Sequence, residues 1–202
     1  MTSEKYLQEK QFFIFELDNV IYPEKDYLLQ VYYLFAQFIE YGEQLSAVDI
    51  LKYMQETYLE DGEKDIFEKT AVKFNIPDKY KVNFDMLLNS VRLPLKLLIY
   101  DEVLKFLQAI VLERKQIFLL VSGNPAMQLN KIKQTEWNGL EQYLTVFFTE
   151  EFEPEQDALK LIIEQQQLDA SKALLIGTSS FTEQSASKCN VDYLNVDTLF
   201  VA

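Results

Sequence analysis

Glu16 and Asp18 stand two residues apart, just beyond the apolar run Phe12-Phe13-Ile14-Phe15. Two carboxylates so placed suit a division of labour: one attacks as nucleophile, the other donates and accepts a proton. Residues i and i+2 of an extended chain face the same way, so the spacing predicts both carboxylates on one side. Ser122-Gly123-Asn124-Pro125 and Gly177-Thr178-Ser179-Ser180 each close a further apolar run. Glycine at such a strand-to-helix turn lets backbone N–H groups approach a ligand.

The elements that must position these residues follow from periodicity. Phe12 to Phe15 reads as a buried parallel strand, and acids just past it lie at the carboxyl edge of a sheet, where open α/β folds build their sites. From residue 24 to 95 the period is helical and no strand is expected. Tyr27 to Tyr41 is apolar almost all round, which suits burial on several sides; the same helix is a candidate surface for a second copy. Val48 to Leu59, Asp65 to Phe74 and Asn83 to Val91 continue the helical pattern. Strands are expected at Gln116–Val121, Tyr143–Phe148, Ala173–Ile176 and Asp192–Val196, alternating with helices. Asp101 is expected to cap one of these helices, and Asn124, with Pro125 behind it, to cap the next. Gln156 to Gln167 is read as helix, and another helix runs through Ala186. Such alternation implies an α/β fold with a parallel sheet covered by helices on both faces.

Composition narrows the function classes. The 202 residues are 49% hydrophobic and 25% charged, ordinary for a globular chain with one good core and a small insert. A net charge of -13 argues against nucleic acid or an anionic membrane as partner. There is no histidine, which removes His-based triads, metal sites and bases. The one cysteine, Cys189, allows no intrachain disulfide and reads as a small apolar filler in a reducing, cytoplasmic setting. No run is apolar enough to span a bilayer, and Met1-Thr2-Ser3-Glu4-Lys5 does not read as a signal peptide.

The stretch Glu16-Leu17-Asp18-Asn19-Val20-Ile21-Tyr22-Pro23 resembles motif I of the haloacid dehalogenase (HAD) superfamily, most of all its bacterial nucleotidase-like phosphohydrolases with Asp-Leu-Asp-Asn-Thr-Leu-Tyr-Pro. Leu119-Leu120-Val121-Ser122-Gly123-Asn124 resembles motif II, and Gln128 to Lys133 is similar to the same branch. Ala173 to Thr182 keeps the frame of motif IV. The resemblance implies a Rossmann-like core, 1–23 and 96–202, with an α-helical cap, 24–95, inserted after the first strand. It implies catalytic roles for Glu16, Asp18 and Ser122, and ligand contacts from Ser122, Gly123, Asn124, Thr178 and Ser179.

The chain departs from the family where charge matters. Glu16 replaces the nucleophilic Asp, Thr178 and Thr182 replace the Mg²⁺-holding acids, and Glu153, in Glu151-Phe152-Glu153-Pro154-Glu155, stands in place of the motif III Lys. Lys160 is the nearest substitute cation. The extra methylene of Glu16 displaces the attacking oxygen by about 1 Å, a misplacement that costs on the order of 10²-fold in rate. Reversing one charge about 4 Å from a phosphate costs several kcal/mol at an effective dielectric of about 20. The expectation is a HAD-like protein without resident Mg²⁺ or another cofactor, a monomer or weak homodimer that acts by binding a small, neutral or cationic, polar ligand. The competing expectation is a working hydrolase built on Glu16 and Asp18.

Overall fold

The computed structural model describes residues 2–153 and 157–200. Pro154, Glu155 and Gln156 lie outside that range. Five parallel strands form one sheet in the order β3-β2-β1-β4-β5. They are β1 (Phe12–Glu16), β2 (Gln116–Val121), β3 (Leu144–Phe148), β4 (Ala173–Gly177) and β5 (Asp192–Asn195). The α/β class and the parallel sheet expected from periodicity are what is observed.

Strand β1 lies at the centre, with Phe13 in register with Ile117 of β2 and Leu174 of β4. Side chains alternate across it. Phe13 and Phe15 pack with α6 (Asp101–Leu112), while Ile14 joins Leu159 and Ile162 of α8 (Ala158–Gln165) and Ala186 of α9 (Ser180–Lys188). Both faces are covered, which is why the central runs 12–15, 117–121 and 173–176 are continuously apolar rather than alternating.

Between β1 and α6 lie α2 (Glu24–Glu43), α3 (Ala47–Asp61), α4 (Ile66–Phe74) and α5 (Lys81–Ser90). Tyr27, Val31, Phe35 and Ile39 of α2 are buried in an apolar cluster continuous with Phe13 and Phe15 of the sheet. The near-encircling apolar pattern of α2 is thus mostly interior, although Tyr41 at its far end is 91% exposed. Phe35, Phe67 and Phe84 meet ring to ring within this block, at centroid distances of 5.0 to 5.8 Å.

Asn124 caps α7 (Pro125–Gln134) as expected, its side chain accepting from the N–H groups of Ala126 and Met127. Asp101 does not cap α6. It is the first helical residue, after Tyr100, where its charge meets the positive end of the helix dipole. Two short helices carried no clear periodic signal: α1 (Thr2–Glu9) and α10 (Asp197–Phe200).

Candidate active site

Glu16 ends β1 and Gly177 ends β4 beside it, so the Glu16 side chain leans across the turn that opens α9. Its carboxylate accepts from the Thr178 N–H at 3.0 Å and from the Thr182 hydroxyl. The Ser179 side chain caps α9 by accepting from the Thr182 N–H at 3.1 Å. Gly177 makes the lean possible, because a Cβ there would stand 2.5 Å from Glu16 Oε2.

Asp18 goes the other way. Strand pairing stops at Glu16, and Leu17 then accepts from the N–H groups of Val20 and Ile21 in a tight turn, with Asn19 left-handed at φ 61°. Alternation ends with the strand, so the two carboxylates do not share a side as their spacing predicts. Asp18 accepts from Tyr22 Oη at 3.0 Å, Gln128 Nε2 at 2.8 Å and Lys131 Nζ at 2.8 Å. Lys131 has no exposed side-chain surface and also reaches Glu24 at 3.4 Å. Burial raises the Glu24 carboxyl above its ordinary range, the Asp18 charge adds to this, and Lys131 opposes it. Burial and the Asp18 charge likewise push the Tyr22 phenol far up, which keeps it a donor to that carboxylate.

A cavity of about 990 Å³ opens on the α8–α9 side. Glu16, Ser122, Glu150, Phe152, Ser179 and Phe181 are among its walls, as are Glu151, Glu153 and Asp157. Neither lysine nor arginine lines it among the described residues, and none of α2 to α5 reaches it. Glu150 sits in a single helical turn after β3 and accepts from the Gly123 N–H, where glycine holds φ at 101°. Asp157 caps α8 and accepts from the Ser185 hydroxyl at 2.8 Å. No group of three or more Asp, Glu, Cys or His side chains among the described residues is placed to hold a metal ion.

A family model for haloacid dehalogenase-like hydrolases matches residues 13–196. The chain belongs to that family. No curated protein matches the sequence. Among solved structures, a candidate β-phosphoglucomutase from Thermotoga maritima superposes with a TM-score of 0.63 at 16% identity, over 90% of this chain and 82% of that one. A hydrolase from Streptococcus pneumoniae gives 0.52 at 16% identity, over 92% of both chains. L-2-haloacid dehalogenase from Xanthobacter autotrophicus, with chloropropionic acid covalently bound, gives 0.51 at 14% identity, over 91% of this chain and 76% of that one. At these identities the likeness establishes the HAD fold.

Of the residues singled out from the sequence of this HAD-family chain, Glu16, Ser122, Glu153, Ser179 and Thr182 meet at the cavity. Thr178 contributes its backbone N–H to Glu16, Gly123 gives its N–H to Glu150, and Asn124 caps a helix. Asp18 belongs to the α7 side. Lys160 is 66% exposed, does not line the cavity, and lies 3.9 Å from Glu164 one turn along α8. The cation buried against the Glu16–Asp18 segment is instead Lys131. Its signal was a row of long polar side chains at helical spacing, Gln128, Lys131 and Gln134, on a face that packs inward.

Proposed function

We propose that this HAD-family chain, derived from the bacterial nucleotidase-like phosphohydrolase branch, has lost Mg²⁺-dependent phosphoryl transfer and acts by binding a small, neutral or cationic, polar ligand. One observation carries the reading. The carboxylate in the nucleophile's place is held by the Thr178 N–H and the Thr182 hydroxyl, two positions where the family motif has acids. A carboxylate with both oxygens held by donors of the turn that opens α9 is poorly placed to attack phosphorus. The donor set does not suit magnesium either, since a hard cation in octahedral geometry needs several oxygen ligands and Glu16 brings the only carboxylate of the three. The Gly123 N–H, which would otherwise face an anion, carries Glu150. A cavity walled by Glu16, Glu150, Glu151, Glu153 and Asp157 repels phosphate and favours positive or neutral groups.

On this reading residues 24–95 are the cap on a core of 1–23 and 96–202, and the protein works in the cytoplasm as a monomer or weak homodimer. Wild-type protein with Mg²⁺ and a generic phosphomonoester should turn over more slowly than about 1 s⁻¹, the lower end of ordinary enzyme rates. The variant Glu16→Asp/Glu153→Lys/Thr178→Asp/Thr182→Asp should gain activity over it. Faster turnover by the wild type would sink the proposal.

That Ser122 and Glu16 line the same cavity favours a second reading, a hydrolase of altered chemistry using Glu16 and Asp18. Under that reading Glu16→Asp abolishes a native activity. Under the first it alters stability and ligand affinity only.

A further inference from the structure

We infer that α7 is a clasp that holds the helical block α2–α5 in one fixed pose on the sheet. The chain crosses between sheet and block twice, at Leu17–Glu24 and at Val91–Tyr100, and the inward polar face of α7 grips both crossings. At the first, Lys131 and Gln128 bind Asp18, and Lys131 reaches on to Glu24 at the head of α2. The Lys131 ammonium also lies 5.3 Å from the centre of the Tyr27 ring. At the second, Gln134 accepts from the Leu93 N–H at 2.9 Å and donates to the Val91 carbonyl. Asn130 donates to Val91 at 2.8 Å and to Tyr27 Oη at 3.1 Å, and Tyr27 Oη donates to the Leu88 carbonyl. Backbone pairing of Leu97 with Gln134 and Glu136 closes the seam, and the Tyr100 N–H donates to Ile21, tying one crossing to the other.

The clasp is hard to open for a physical reason. Gln128, Lys131 and Gln134 are all buried, so a swing of the block must break their bonds before the seam is wide enough for water to replace them. Nor does the cavity need the block to move, because its walls come from the strand ends, the loop after β3, α8 and α9. Asp18 therefore serves as a positioning residue within the clasp. This inference stands whether or not phosphoryl transfer is lost, and its test reads motion rather than turnover.

Native-state hydrogen exchange on the wild type is the experiment. The amides of Leu93, Leu97, Tyr100 and Glu136 should exchange no faster than those of Val31 and Phe35 inside α2. Exchange at the crossings more than about 10-fold faster than in α2, with the strands still protected, would show a block that swings by sub-global opening and would overturn the clasp. In Lys131→Met the loss of one partner of a buried ion pair speeds exchange in the strands too, through global opening, but both crossings should exchange about 10-fold faster or more than β2 and β4 of the same variant, a gap wider than in the wild type. Crossings that keep the wild-type ratio to the strands would also overturn it. Should that variant not fold, Gln134→Met makes the same comparison at the second crossing, and the wild-type profile decides without either.

Discussion

Glu16 and Asp18 leave one strand end and meet opposite surroundings. Glu16 faces the α8–α9 layer, where the Thr182 hydroxyl and the Thr178 N–H hold it and the charged side chains that line the cavity, among the described residues, are all carboxylates. Asp18 turns to the α7 layer, where a fully buried ammonium matches it. The first environment is open and lined with acidic side chains, which the proposed reading assigns to a ligand. The second is closed and neutralised, fit to hold two parts of the molecule together. On the proposed reading, a motif that brings two carboxylates together for paired catalysis is divided here between a ligand-binding face and a structural joint.

The sharpest way to break this contrast is at Lys131. Removing one partner of a buried ion pair typically costs about 3–5 kcal/mol, because the other charge is left without water or counter-ion. Lys131→Met should lower stability by about that much in urea denaturation, whereas a loss below about 1 kcal/mol would show that Asp18 is not held as described.

Glu16 should matter less, since its partners are neutral and the cavity admits water. Shortening it to Asp should cost about 1–2 kcal/mol through two weakened hydrogen bonds. Gly177→Ala should cost a similar amount by pushing the Glu16 carboxylate off Thr178, and little more once Glu16 is already Ala. A double-mutant cycle tests this, and additive losses would mean that Gly177 and Glu16 do not act together.

Glu24 sharpens the comparison through pH. Burial, the Asp18 charge and Glu63 raise its carboxyl above the ordinary 4.5, against the pull of Lys131. Below pH 4.5 it is protonated in folded and unfolded chains alike and contributes no penalty. As pH rises past the folded value it ionises in both, and the folded chain bears the cost. Glu24→Gln should therefore be more stable than wild type at pH 7, with the gain fading as pH falls through that window. A gain that grows on acidification would reverse the assigned sign.

Lys160→Ala should change stability by less than about 0.5 kcal/mol, as expected of an exposed pair, and should leave ligand binding intact.

Most of the strands and their order of succession were legible because apolar runs of four to six residues ending in turn chemistry leave few alternatives. The Asn124–Pro125 cap was legible for the same local reason. The fate of Asp18 was not, because the two-residue rule holds only while the strand lasts, and β1 ends at Glu16. Lys131 was hidden by an ordinary expectation that long polar side chains on a helix face water. Only the layer packed over α7 shows that Gln128, Lys131 and Gln134 point inward. That Thr178 and Thr182 stand where the resembled motif has acids was plain in the sequence, but the reach of Glu16 to both of them depends on the bare Cα of Gly177.

Crystals of the wild-type protein soaked with Mg²⁺ and beryllium fluoride address the central claim most directly. The account predicts that the Glu16 carboxylate stays on the Thr178 N–H and the Thr182 hydroxyl, with no fluoroberyllate attached to it. A beryllium–oxygen bond at Glu16 with an octahedral Mg²⁺ alongside would contradict it.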